Sequence, residues 1–171
     1  MTALTGFIVT AWLGLVILAA LADVDDLRIP NRISALIAVL WPIHALATAP
    51  AAGTGWLADA GLAIAVAAGV FAVGTGLFVL RWMGGGDVKL MAGLALWAGP
   101  TLILPFLVVT TLAGGALAVV MATRLRFVVA GLSEWAGAAD IRDRVLGGRI
   151  PYGVAIATGA VVIIAPHLFT H

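Results

Sequence analysis

Long apolar runs separated by short polar connections dominate the pattern along this chain. A membrane-spanning helix needs about 20 apolar residues. The pattern predicts six transmembrane helices, at residues 3–22, 33–49, 57–80, 88–99, 101–123 and 151–169. The fourth span is short, and Pro100 separates it from the fifth. We therefore predict an all-α polytopic membrane protein in which residues 1–171 form a single transmembrane domain.

The connection between the fifth and sixth spans, residues 124–150, has a different character. It mixes charged residues with Phe127, Val128, Leu132 and Trp135. This mixture predicts a cytoplasmic amphipathic segment that lies on the membrane surface. At the other end of the chain, no basic stretch precedes the first apolar run, so we interpret that run as a retained helix and not as a signal peptide.

The basic residues predict the orientation in the membrane. They are Arg28, Arg32, Arg81, Lys89, Arg124, Arg126, Arg142, Arg144 and Arg149. Eight lie in the first, third and fifth connections, Lys89 lies in the first turn of the fourth span beside the third connection, and the second and fourth connections contain none. Because connections rich in Lys and Arg stay in the cytoplasm, we expect the odd-numbered connections there and both termini on the opposite side.

Composition narrows the class of protein further. Hydrophobic residues make up 63% of the chain and charged residues only 10%, against roughly 25% charged residues in a soluble domain. The lipid bilayer is therefore the expected surroundings. The absence of cysteine excludes disulfides, cysteine-ligated zinc and a cysteine nucleophile. A net charge of +1 without a basic run indicates no nucleic-acid partner.

Two aspartates differ from the other acidic residues in their position. Asp23 follows the first span, and Asp87 follows the glycine triplet 84–86 and precedes the fourth span. Three glycines permit close approach of the backbone and unusual backbone conformations. The predicted topology puts both aspartates at the cytoplasmic face, where they can meet. Two carboxylates in one site cannot both ionise easily, and such a pair supplies a base and an acid for cutting an amide.

Other interpretations remain open at the level of residue chemistry. Acidic turns at span ends occur in many membrane proteins, so a non-catalytic assembly subunit is one alternative. A small proton-coupled transporter is another, since intramembrane carboxylates often form ion paths. The only hints of a transporter are Asp59 and the scattered His44, His167 and His171. We interpret these four as interfacial or packing residues, and we find no metal-ligand motif.

Three segments resemble one known family. The segments are Asp23-Val-Asp-Asp-Leu-Arg-Ile-Pro-Asn31, Met83-Gly-Gly-Gly-Asp-Val-Lys-Leu-Met91 and Arg149-Ile-Pro-Tyr-Gly153. They are similar, in this order, to motifs of the prepilin peptidases, which are aspartic peptidases with a GxGD motif. The family has an Asp six residues before Ile-Pro-Asn, and this spacing selects Asp23 over Asp25 and Asp26. At residues 84–86 this chain has Gly-Gly-Gly, where the family more usually has Gly-Ala-Gly.

The resemblance implies a function and a set of site residues. It implies that Asp23 and Asp87 are catalytic and that no metal or cofactor is needed. The residues expected to bind substrate or support the motifs are Gly84, Gly86, Lys89, Pro30 and Asn31. The substrate would be a prepilin or pseudopilin precursor, cut at the cytoplasmic face of a bacterial inner membrane, with both termini periplasmic. Pilus assembly machinery is a further partner that the resemblance suggests.

The size of the chain narrows this expectation. Larger members of the family carry an extra cytoplasmic domain with cysteine pairs and also methylate the new N-terminus. This chain has neither the cysteines nor the length for that domain, and it resembles the short peptidases of Tad/Flp-type pili. We therefore expect cleavage without N-methylation. The archaeal preflagellin peptidases and presenilin-like proteases also use GxGD, but the Asp-x5-Ile-Pro-Asn motif favours the pilin-processing branch.

Overall fold

The described part of the protein is a bundle of helices. The computed structural model describes residues 2–52, 55–135, 145 and 151–170. The elements are α1 (Ala3–Asp26), α2 (Asn31–Ala52), α3 (Trp56–Val79), α4 (Gly85–Ala122), α5 (Leu125–Trp135), α6 (Tyr152–Gly159), a π-helical turn (Ala160–Ile164) and α7 (Ala165–Thr170). No strand occurs among these residues. The predicted all-α class is confirmed.

The length and composition of the helices identify a multi-pass membrane protein. Within the described ranges, five helices are long and apolar enough to span a membrane: Ala3–Asp26, Asn31–Ala49, Trp56–Val79, Gly85–Ala122 and Tyr152–Phe169. Many large apolar side chains on them are exposed, among them Phe7, Val73 and Leu104. A water-soluble protein rarely exposes apolar surface on this scale, whereas lipid would cover it.

Helix α4 contains the main departure from the predicted spans. Its backbone is non-helical at Gly99, with φ 56° and ψ −169°, a region that is essentially open to glycine alone. Met91 and Gly114 line the same groove, although they would be roughly 35 Å apart in a straight helix. The two arms, residues 85–98 and 100–122, therefore fold back on each other.

This hairpin corrects the boundaries of the fourth and fifth predicted spans. We expected 88–99 and 101–123 as separate helices divided by Pro100. Instead, Gly99 makes the turn within two residues, and Pro100 begins the second arm, a position that tolerates its missing N–H. The six predicted passes are thus four helices plus the two arms of α4. The first arm starts earlier than predicted, at Gly85.

The end of α1 also differs from its predicted position. The helix continues to Asp26, one turn beyond the predicted end at residue 22. Leu27 closes it with a left-handed backbone, φ 51°, and its N–H donates to the carbonyl of Asp23 at 3.0 Å. Asp23 therefore lies within the last turn of the helix. Helix α2 then begins directly after Pro30.

The first arm of α4 lies at the centre of the bundle. Its Leu90 and Leu94 are fully buried with Trp12 of α1 and Ile156 of α6. The Nε1 of Trp97 donates to the carbonyl of Ile37 in α2 at 2.9 Å. This packing joins the first arm of α4, which begins beside Asp87, to the common core with α1, α2 and α6.

The segment after α4 is helical and amphipathic over residues 125–135, as predicted. Ala130 packs against Met121 and Val145, and Trp135 is 89% exposed. The rest of the predicted surface segment, residues 136–144 and 146–150, lies outside the described residues. Its position on the membrane surface stays a prediction.

Candidate active site

Asp23 lies on the buried face of α1. Val16 and Ala19 precede it by seven and four residues, spacings that put all three side chains on one face of a helix. Asp23 is only 5% exposed, whereas Asp25 and Asp26, on other faces, are exposed. The helix therefore buries the one aspartate that the motif spacing selects.

The buried carboxylate of Asp23 is held by the start of α6. The backbone N–H of Gly153 donates to Oδ2 of Asp23 at 2.6 Å. A Cβ on Gly153 would lie 2.8 to 2.9 Å from Cβ, Cγ and Oδ2 of Asp23. Because real Cβ contacts are never so short, only glycine allows this approach. The last turn of α1 is the negative end of its dipole, and the charge-assisted hydrogen bond offsets that effect.

Asp87 lies in the first turn of α4. Gly84 is the N-cap of this helix, and the carboxylate of Asp87 reaches back to the backbone N–H of Gly84. This contact matches the returning half of a capping box. A Cβ on Gly84 would lie 2.7 Å from Oδ2 of Asp87. Both the cap and the positive end of the helix dipole favour a carboxylate at this position.

Of the two reasons expected for glycine at residues 84–86, one does not apply. None of residues 84–86 has a positive φ, so unusual backbone conformations are not what requires glycine there. Close approach is the reason instead. A Cβ on Gly86 would lie 3.2 Å from the Cβ of Ile29 and 3.4 Å from its carbonyl oxygen. The GxGD segment thus packs directly on the Ile-Pro-Asn segment.

A side-chain hydrogen bond joins the same two segments. Nζ of Lys89 donates to Oδ1 of Asn31 at 2.9 Å, across 58 residues of sequence. The family resemblance implies that Lys89 binds substrate or supports the motifs. Its contact with Asn31 ties α4 to the start of α2, and Pro30 is half-buried beside this contact. Gly86 and Lys89 of the second motif thus contact the Ile-Pro-Asn segment, whereas the close neighbour of Gly84 is the aspartate of its own motif.

The two aspartates come together at one end of the bundle. The charge of Asp23 repels that of Asp87, and Asp87 is half-buried. Two carboxylates that repel each other in a partly buried site do not both ionise easily. Such a pair can accept a proton from water and donate one to a leaving group.

Gly153 is the site residue that sequence reasoning did not single out. The signal for it was present, because the third family-like segment ends at Gly153. We had used that segment only to mark the start of the last span. Arg149 and Ile150 of the same segment lie outside the described residues.

The acidic and histidine residues that hinted at a transporter lie elsewhere. His44, Asp59 and His167 line a cavity of about 260 Å³ at the other end of the first arm of α4. The ring of His44 packs 5.2 Å from that of Trp97. No cluster that could hold a metal ion occurs among the residues that the structure describes. His171 lies outside those residues.

Comparison with known proteins identifies the family. The model of the type IV leader peptidase family matches residues 7–119, more than half of the 171-residue chain. The chain belongs to the type IV leader peptidase family. No curated protein and no solved structure matches it.

Membership of the leader peptidase family relates the chain to hydrolases that cut peptide bonds. The matched range contains Asp23, Asp87 and the contacts between their two motifs. It ends before Gly153, so the hydrogen bond to Asp23 joins the matched range to the part of the chain beyond it.

Proposed function

We propose that this chain is an aspartic endopeptidase that removes the leader peptide from type IV pilin-like precursors of the Flp/Tad type. Asp23 and Asp87 are its catalytic residues. Cleavage takes place at the cytoplasmic face of the bacterial inner membrane, and the new N-terminus is not methylated. The family match supports the peptidase class, and the three family-like motifs support the finer assignment.

The observation that carries the proposal is the convergence of Asp23 and Asp87 from helices 64 residues apart in sequence. Three aspartates lie at the end of α1. Asp23 is the one that is buried and accepts a hydrogen bond, whereas the other two are exposed. A protein gains little stability from burying a carboxylate beside a second one that repels it. A reaction that needs two carboxylates therefore explains this arrangement better than a contribution to stability does.

The proposed mechanism uses the pair as base and acid. One carboxylate takes a proton from water as the oxygen attacks the scissile carbonyl, so that the new C–O bond forms. The protonated partner then gives its proton to the nitrogen as the C–N bond breaks. The Gly153 N–H and the cap at Gly84 hold the two carboxylates in place during these transfers. Apparent titration belongs to the pair and not to either residue.

The proposal is tested with the full chain in liposomes, an Flp-type precursor and added S-adenosylmethionine as a methyl donor. Mass spectrometry of the product should show loss of the leader and an unmethylated N-terminus. A methylated product would contradict the second part of the proposal. If the folded protein leaves several such precursors intact, the proposed substrate is wrong, and proton flux across the same liposomes would then test the transporter alternative.

A further inference from the structure

A groove runs along the bundle between α3, the second arm of α4 and α6. Its volume is about 360 Å³. Its lining includes Thr111, Gly114, Gly115 and Ala118 of the second arm, together with Leu77 of α3. Gly115 and Thr111 are exposed on a membrane-spanning segment. The groove is therefore accessible from the lipid.

One end of this groove lies beside the segments that carry and hold the two aspartates. Met83 and Tyr152 line both the groove and a neighbouring cavity of about 580 Å³ that also contacts Gly84. Met83 precedes Gly84, which touches the carboxylate of Asp87. Tyr152 precedes Gly153, which holds Asp23. A chain that lies in the groove thus arrives at both aspartates.

The lipid around the groove determines what kind of polypeptide segment can bind in it. Within the hydrocarbon region a segment must satisfy its own backbone hydrogen bonds, and a helix is the form that does so. Small residues at a spacing of four, Thr111 with Gly115 and Gly114 with Ala118, allow another helix to approach closely. An apolar helix matches the groove in both respects.

We propose that this groove docks the apolar helix of the precursor and that Gly115 limits which helices can enter. The inference rests on the proposed peptidase function and extends it from the catalytic pair to substrate selection. A helix seated against Gly115 brings the peptide at its end to Asp23 and Asp87. The enzyme then binds its substrate from within the membrane and cuts it at the membrane edge.

A glycine substitution can fill the groove without disturbing the protein. A Cβ on Gly115 meets no heavy atom within 4 Å. Gly115→Leu therefore adds a side chain that begins in open space at a residue lining the groove. Gly69→Leu is the matched control, because Gly69 is an exposed α3 glycine with the same open surroundings and does not line the groove.

Two substrates distinguish an effect of the substitution on helix docking from an effect on the cleavage step. One is the complete precursor, and the other is a short peptide that covers the cleavage sequence without the apolar helix. Gly115→Leu should raise KM for the precursor by about tenfold or more with kcat little changed. The short peptide should be cut at the wild-type rate, and Gly69→Leu should match the wild type on both.

Other outcomes would overturn the docking proposal. Wild-type cleavage of the precursor by Gly115→Leu would do so, as would an equal loss on both substrates. A change in retained lipid or in oligomer mass, without a change in cleavage, would assign the groove to a lipid or to a second copy.

A photoreactive residue at Ala118 in the Asp87→Asn variant should cross-link to the precursor helix. Cross-linking without wild-type cleavage would refute the peptidase proposal alone, and no cross-linking would refute docking.

Discussion

At the scale of single residues, the surroundings of Asp23 show how a carboxylate whose burial costs free energy is stabilised in place. It occupies the unfavourable end of a helix dipole and is nearly inaccessible to water. One backbone N–H, from Gly153, compensates it. The spacing to Ile-Pro-Asn predicted which of three aspartates matters. It could not predict the partner, because that contact spans 130 residues of sequence.

The first prediction concerns Gly153. In Gly153→Ala, the new Cβ would collide with the carboxylate of Asp23 at under 3 Å. Since a displacement of about 1 Å in an active site can cost 100-fold in rate, we expect a fall in kcat of about that size. The cleavage assay measures it, with thermal unfolding as a check on folding. Gly14→Ala, whose Cβ meets nothing within 4 Å, should leave the rate unchanged, and equal rates for the two variants would contradict this account.

At the scale of elements, two connections fix the geometry of the site. The turn before α2 packs its Ile29 on Gly86, and Asn31 accepts a hydrogen bond from Lys89 of α4. The motifs were visible in the sequence as separate strings. Their direct contact was not, because the glycines there are needed for tertiary packing and not for local backbone conformation.

The second prediction compares two neighbouring glycines. Gly86→Ala would press a Cβ on the backbone of Ile29, which cannot move without shifting the start of α2. Gly85→Ala meets only the ring of Phe78, at 3.3 Å, and a side chain can turn away. We expect Gly86→Ala to lose about tenfold or more in cleavage rate, in keeping with the cost of misplacement, and Gly85→Ala to stay close to wild type. The reverse order would show that the close approach to Ile29 is unimportant.

The hairpin in α4 shows why the helix boundaries were the weaker part of the sequence prediction. Pro100 was the visible breaker, and we assigned the gap to it. The actual turn is made by Gly99, since its backbone conformation is one that other residues avoid. Hydropathy alone detected the two arms and could not tell that they pack as a pair.

At the scale of the whole molecule, the predicted all-α class and the multi-pass architecture agree with the structure, because both follow from the length of the apolar runs. Orientation depends on the nine basic residues alone. It remains a prediction, as do the cytoplasmic position of the site and the placement of residues 124–150.

The third prediction tests that orientation. The chain has no cysteine, so single cysteines report their own side of the membrane. Gly55→Cys, before α3, should react with a membrane-impermeant thiol reagent in intact cells. Thr123→Cys, after α4, should react only once the membrane is opened. Labelling in the opposite pattern would put the carboxylate pair on the outer face and contradict the proposed cleavage side.

The central claim is that the buried pair, and not acidity at the end of α1 in general, performs the hydrolysis. The most direct measurement is the rate of precursor cleavage by four matched variants: Asp23→Asn, Asp87→Asn, Asp25→Asn and Asp26→Asn. Each change replaces a carboxylate by an amide of the same shape. We expect a loss of about 100- to 10,000-fold or more for the first two and near wild-type rates for the exposed pair. Persistent cleavage by Asp23→Asn or Asp87→Asn in the folded protein would contradict the account.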